Sequence, residues 1–475
     1  MPRVTRRAFL RLAATGAAST LLARPAVGQP SAEGSRLHLP RGYLLVQDLR
    51  TYHATQFGAI STAAEAEDLL ASLEGRLDGL EFGSVFYDPN DLRAHEAVAR
   101  VGVAHGVDLW MSTFGLAGKF RSFGEIRPEL QAHVMERSGR IVPATVPGGG
   151  KSAGPLLDVL DPDAVDWFLT AFRARYLERM QGLLAGLFFN EDCIPYLGTM
   201  ARHDRRFDYW RNATFSPAVL RQWREYCRAH DVEHGGRLLD RFPVHEPAMA
   251  ARSGGRAMHV PGWNVPARVH AGDRFTSLPR ARGVWKHWTD FTCALFLDNW
   301  IGPLAHLARE VNGGGSLWKG TLYFGLHSWS LPYEEIEDRR FRVPEVARWG
   351  AWGRQRGIDL EELAAHPEID GIVCETYPPV AGNLEDFIAE FARITREAGK
   401  TFGLMLHRDD KWALKADEEQ RRWDLIARYE PTILARYPRR LMTPGGDLYS
   451  AEAEALFSSR LSRYRRAGSP RPSAK

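Results

Sequence analysis

Cysteine is scarce in this chain: four residues in 475, Cys193, Cys227, Cys293 and Cys374, with no Cys-x-x-Cys pair among them. Zinc-ribbon and thioredoxin-type readings fail on that spacing, and the four are expected to be small buried packing residues. A Gly-x-Gly-x-x-Gly fingerprint, an internal repeat and a low-complexity block are also missing. The run from Gly148 to Ser152 has the composition of a phosphate loop, but Thr145 stands where that motif requires its first glycine. Nothing in the sequence therefore calls for a nucleotide or any other cofactor. The apolar stretch near the N-terminus is too short and too rich in alanine for a stable membrane span.

Positive charge is less abundant than it looks. The chain has a formal net charge of +4, but Arg3, Arg6, Arg7, Arg11 and Arg24 precede Ala26-Val27-Gly28-Gln29 with no acidic residue among them. A basic region, an apolar region and a small-residue cut site in that order form an export peptide, expected to cover residues 1–28. The pair Arg6-Arg7 followed by Phe9 and Leu10 resembles a twin-arginine export signal, which implies a periplasmic or secreted protein. Loss of those five charges from +4 leaves a net −1 on the mature chain, so no nucleic-acid surface is expected. The Arg-rich end, 466–475, is expected to be a disordered tail.

Short apolar runs alternate with amphipathic stretches through the rest of the chain. Strands are predicted at 43–48, 80–87, 107–114, 183–190, 318–326, 369–375, 401–406 and 440–443, with helical spacing between them. Residues 195–282 break this rhythm; they are rich in Arg, Gly, Pro, His and aromatics, and 216–230 alone reads as a firm helix there. Eight strands alternating with helices predict a (β/α)8 TIM barrel over 38–465, with a long insertion (195–282) after the fourth strand. An open doubly wound sheet is the alternative.

Two of the apolar runs end on a carboxylate. Gly182 to Asn190 leads straight into Glu191 and Asp192, and Ile369 to Cys374 leads into Glu375, two residues before Tyr377. Reactive groups of such barrels stand at the C-terminal strand ends. A pair of carboxyls there is the machinery of glycosidic bond cleavage: one protonates the leaving oxygen while the other attacks or activates water. Polar and aromatic residues follow other strands as candidate sugar-binding groups: Asp48 and His53, Glu81, His327 and Trp329, and His407, Asp409 and Trp412. Hydroxyls suit the polar members, and pyranose faces suit the indoles.

Asn190-Glu191 at the end of the fourth strand resembles the Asn-Glu of the large retaining clan A of glycoside hydrolases. That resemblance implies Glu191 as general acid/base, Glu375 as nucleophile, and a carbohydrate substrate with no metal. The clan's nucleophile ends the seventh strand, whereas Glu375 falls on the sixth by this count. Barrels that use strands four and six, typified by α-galactosidase-like and α-fucosidase-like enzymes, have the roles exchanged, with the fourth-strand carboxylate as nucleophile. Two other readings stand beside this one: a carbohydrate-binding barrel without catalysis, and a metal-dependent hydrolase built on His327, His407, Asp409 and a glutamate, which lack a close His-x-His pattern.

The export reading has a direct check. Changing Arg6 and Arg7 together to Lys is expected to leave uncleaved precursor in the cytoplasm, seen on fractionation; normal processing would point to another route.

Overall fold

The computed structural model describes residues 37–47, 62–72, 77–82, 89–113, 125–135, 141–146, 154–190, 215–230, 232, 258–260, 263–265, 279–322, 357–376, 384–406, 415–437 and 449–468. Eight strands, all parallel, close into a barrel: β1 (Tyr43–Gln47), β2 (Gly79–Phe82), β3 (Asp108–Ser112), β4 (Gly186–Asn190), β5 (Gly315–Leu322), β6 (Gly371–Thr376), β7 (Thr401–Leu406) and β8 (Ile433–Arg436). β1 pairs with both β2 and β8, which shuts the ring. The predicted TIM barrel is the fold.

The helices are α1 (Ala63–Ser72), α2 (Pro89–Ala104), α3 (Pro162–Phe172), α4 (Pro217–Ala229), α5 (Pro279–Phe296), α6 (Gly302–Asn312), α7 (Leu360–Ala365), α8 (Leu384–Glu397), α9 (Ala416–Tyr429) and α10 (Ala451–Gly468). Their starts are written locally. Asp161 accepts from Asp163 N–H at the start of α3, with Pro162 as the first helical residue. Ser216 accepts from Val219 N–H at α4, and Asp359 from Glu361 and Glu362 N–H at α7. Each cap satisfies a donor that the helix itself leaves open. π-turns at Arg173–Leu177 and Leu297–Ile301 extend α3 and join α5 to α6.

Strand alternation divides the core in two. Leu80, Phe82, Leu109, Met111, Leu187, Phe189, Trp318, Ile372, Cys374 and Leu404 point outward into the layer shared with the helices. Tyr43, Leu45, Trp110, Phe188, Leu317, Val373, Met405, Ile433 and Ala435 fill the barrel itself. Cys227, Cys293 and Cys374 are buried thiols outside any disulfide, as packing residues should be.

Two predicted boundaries are corrected. The eighth strand is Ile433–Arg436, not 440–443. Arg436 obscured it in the sequence: its side chain is buried outside the barrel, 3.0 Å from Glu454 and 3.9 Å from the ring centres of Tyr449 and Phe457. The tail expected at 466–475 is helical to Gly468. Phe457, Leu461 and Tyr464 bury one face of α10, and Arg465 bonds Asp78 and the Gly42 carbonyl. The arginines of this helix coat a packed element.

The barrel floor carries a polar chain that runs from the buried Trp110 and Tyr43 out to the exposed Asp108. Tyr43 Oη donates to Asp108 Oδ2 at 2.9 Å and accepts from Trp110 Nε1 at 3.0 Å. Gly79 is required beside it, because a Cβ there would lie 2.2 Å from the phenol oxygen. Tyr43→Phe strips Trp110 of its acceptor and is expected to cost about 1–3 kcal/mol in a denaturant titration, with the barrel intact by circular dichroism.

Candidate functional site

Above that floor the barrel interior turns polar. Two residues beyond Leu45 on β1 stands Gln47, and Glu81 on β2 is its register partner. Two beyond Trp110 on β3 stands Ser112; two beyond Leu317 on β5, Lys319; two beyond Val373 on β6, Glu375. Because side chains alternate across a strand, each of these shares the interior face of the apolar residue beneath it. All five are at most 2% exposed; Gln47 and Ser112 end their strands, Glu81 and Glu375 are penultimate in theirs, and Lys319 is the fifth residue of eight in β5.

The hydrogen bonds join this layer into two groups. On one side Gln47 Nε2 donates to Glu81 Oε1 at 3.1 Å, and the Ser112 side chain also bonds the Glu81 carboxyl. On the other, Lys319 Nζ lies 3.1 Å from Glu375 Oε2 and 5.8 Å from the centre of the Phe188 ring below. Burial pushes Glu81 up to about 7; Lys319 opposes that shift and the charge of Glu375 adds to it. Gln47 Oε1 is buried and has no hydrogen-bond partner among the described residues, so one acceptor is available to a donor from outside them.

Of the residues singled out in the sequence, Glu81 and Glu375 are brought together in this layer. Asn190 ends β4, two residues beyond Phe188, with its Cα in register with that of Lys319. Asp48, His53, Glu191, Asp192, His327, Trp329, Tyr377, His407, Asp409 and Trp412 lie outside the described residues. So do 1–28, where the export peptide is read. Among the described residues no three His, Cys, Asp or Glu stand together as metal donors, and no helix is long and apolar enough to cross a membrane.

Sequence reading missed Lys319, Gln47 and Ser112. The signal for Lys319 was present: a lysine inside the run Leu317-Trp-Lys-Gly-Thr-Leu322, on the same parity as Leu317. Such a residue faces either the barrel lumen or the helix layer, and both are dry.

Part of the insertion after β4 is also placed. The Phe215 N–H donates to the His133 carbonyl at 3.0 Å, within the segment that links β3 to α3. Trp223 of α4 packs on Trp288 and Phe291 of α5. Segments leading from strand to helix stand at the C-terminal ends of a barrel's strands, so α4 is on that side. Asp158, buried beneath it, bonds Ser216 and is pushed up to about 7 by burial.

No protein-family model matches the chain, and no curated protein sequence matches it. Solved structures do. The catalytic domain of a β-amylase from Paenibacillus polymyxa superposes with a TM-score of 0.52 at 10% identity, over 91% of this chain and 100% of that one. An endo-β-1,4-mannanase from Thermotoga petrophila gives 0.32 at 12% identity, over 91% and 79%. A morphinone reductase gives 0.34 at 11% identity, over 85% of each chain. Likeness at this level is likeness of fold, and one barrel serves many chemistries.

The Lys319–Glu375 pair is expected to be strongly coupled. Lys319→Met leaves a buried carboxylate without its ammonium and should cost about 3–5 kcal/mol. The double change Lys319→Met, Glu375→Gln should cost less than Lys319→Met alone. Denaturant titration of wild type, both singles and the double completes the cycle; strictly additive costs would show no coupling.

Proposed function

We propose that this chain is an exported hydrolase of O-glycosidic bonds, with Glu191 and Glu375 as its two carboxyls. The observation that carries the reading is the placement of Glu375. It is the penultimate residue of a strand inside a closed (β/α)8 barrel, buried, with an ammonium at 3.1 Å from its Oε2. A carboxylate in low dielectric is held in its ionised form by such a contact, and an ionised carboxylate is what a nucleophile or base requires. The general acid then falls to Glu191. It follows Asn190 directly in the chain, and Asn190 is in register with Lys319. The second carboxyl is thus attached one residue beyond a strand position that neighbours the ion pair.

These roles are the ones the clan A resemblance implies, although Glu375 is on the sixth strand and not the seventh. The partner of Glu375, more than its strand number, supports the nucleophile or base role. A carbohydrate substrate agrees with the shared architecture of the β-amylase catalytic domain. It also agrees with a polar layer offering Gln47 Oε1 to a hydroxyl donor. A barrel that merely held sugar would have no use for a buried carboxylate–ammonium pair, whose desolvation costs several kcal/mol per ion. The metal-dependent reading rests on His327, His407 and Asp409, which are outside the described residues.

Purified protein screened on aryl glycosides tests the proposal. Glu375→Gln should lower kcat by about 10⁴-fold or more with the fold retained, since amide and carboxyl have nearly equal volume and the bond-forming group is lost. Glu191→Gln should keep some of the first step with a good leaving group, which needs little protonation. Azide should restore turnover to the nucleophile variant with inverted product. Wild-type hydrolysis by both variants would sink the assignment.

A further inference from the structure

The amide at the end of β1 is half satisfied. Gln47 Nε2 donates to Glu81 Oε1 at 3.1 Å. The two branches of an amide diverge, so Oε1 is turned away from Glu81. Gln47 is 2% exposed, and its Oε1 is buried with no hydrogen-bond partner among the described residues. Buried side-chain oxygens normally have one, and an acceptor left unmet is costly. The closed strand order sets this atom in relation to the ion pair: counted around the ring, β1 stands across the lumen from β5, and β2 across from β6. Gln47 and Glu81 are thus on the wall that faces Lys319 and Glu375. Glu81 feels the charges of both, as groups facing one narrow lumen do. An eight-stranded barrel has room inside for side chains or one small ligand. A ring brought to Glu375 therefore lies between that carboxyl and the wall of Gln47.

We propose that Gln47 is a specificity-determining residue: its Oε1 accepts a hydrogen bond from one ring hydroxyl of the sugar whose reacting carbon meets Glu375, and Glu81 holds the amide in that orientation. The inference rests on the reading of Glu375 as nucleophile or base. Its geometric basis is the register that pairs Gln47 with Glu81 across β1 and β2 and the alternation that turns Gln47, like Leu45 below it, into the lumen. An amide oxygen only accepts, which makes a definite demand on the ligand. A hydroxyl meets it by donating its O–H. A hydrogen in that place cannot, and neither can a fluorine, which has no proton to give. A site built to bond a hydroxyl rejects the analogue that lacks it, so deoxy and deoxyfluoro sugars should fail alike at one ring position. At a position read by a protein donor, fluorine would keep part of the bond.

Binding of free monosaccharides, followed by calorimetry, tests this without turnover. A panel of hexoses and pentoses identifies a sugar that the wild type binds, and its monodeoxy and deoxyfluoro derivatives then map the ring. At one position both derivatives should bind about tenfold or more weakly than the parent. Gln47→Met has similar length and no acceptor oxygen. It should bind the parent sugar about as weakly, show no further loss with those two derivatives, and keep the wild-type penalties at every other position. A merely structural role would weaken the parent and all derivatives by one factor. The wild-type map stands as a test by itself if the variant does not fold. The proposal is overturned if no position shows matching deoxy and deoxyfluoro losses, if Gln47→Met keeps the wild-type map or weakens every sugar alike, or if no sugar of the panel binds. If a sugar binds with the expected map and no glycoside is cleaved, the hydrolase reading falls and the role of Gln47 stands. Cleavage of a glycoside without that map overturns the role of Gln47 alone.

Discussion

An ammonium and a carboxylate 3.1 Å apart in the barrel lumen, each almost wholly screened from water, impose conditions on everything around them. Removing two ions from water costs several kcal/mol each, and their attraction offsets that only with good geometry and further hydrogen bonds. The barrel supplies a rigid base. Phe188 lies directly beneath the lysine, and Trp110, Leu317, Val373 and Met405 fill the levels below. A packed interior of this kind resists rearrangement, so Lys319 and Glu375 are kept within reach of each other by the strands that carry them.

The same logic extends outward through the sheet. β6 begins at Gly371, just after Asp370, and the buried Asp370 carboxylate accepts from the Ser316 N–H and from Arg309. That contact ties the entrance of β6 to β5 and to α6. The strands that deliver Lys319 and Glu375 are thus pinned together at their N-terminal ends by one charged cluster and joined farther along by the Lys319–Glu375 pair. Between the two ends the β5–β6 ladder runs over six residue pairs, from Leu317 with Gly371 to Leu322 with Thr376. A slip of either strand by one residue would turn its charged residue into the helix layer, which makes the polar layer and the register mutually dependent.

Much of this architecture was legible in the sequence, for identifiable reasons. Apolar runs such as Gly371-Ile-Val-Cys374 and Thr401-Phe-Gly-Leu-Met-Leu406 are short and bounded by helical spacing on both sides, so seven of the eight strands were found within a few residues. Glu375 was legible because a charge at the end of such a run is conspicuous. Lys319 was not, because it sits inside its run and the reading attended to strand ends. The eighth strand was missed for a related reason. Ile433-Leu-Ala-Arg436 is four residues long and closes on an arginine, and nothing local tells that Glu454, eighteen residues on, neutralises it. Likewise the arginines after Arg460 hid the spacing of Phe457, Leu461 and Tyr464, which packs α10 against the barrel.

Parity sorts these charged residues by what they do. Lys319, Glu81 and Glu375 fall on the same alternation as Leu317, Gly79 and Val373 and face the lumen. Arg436 falls on the alternation of Leu434 and faces the helices, where its partners Glu454, Tyr449 and Phe457 are structural. A charged residue in a barrel strand is therefore informative once its parity is known, and the apolar neighbours two positions away fix that parity. Asn190 ends β4 two residues beyond Phe188, its Cα in register with that of Lys319. Among the described side chains the polar layer draws on β1, β2, β3, β5 and β6. Among the described residues, β7 and β8 contribute Met405 and Ala435 to the apolar filling of the barrel.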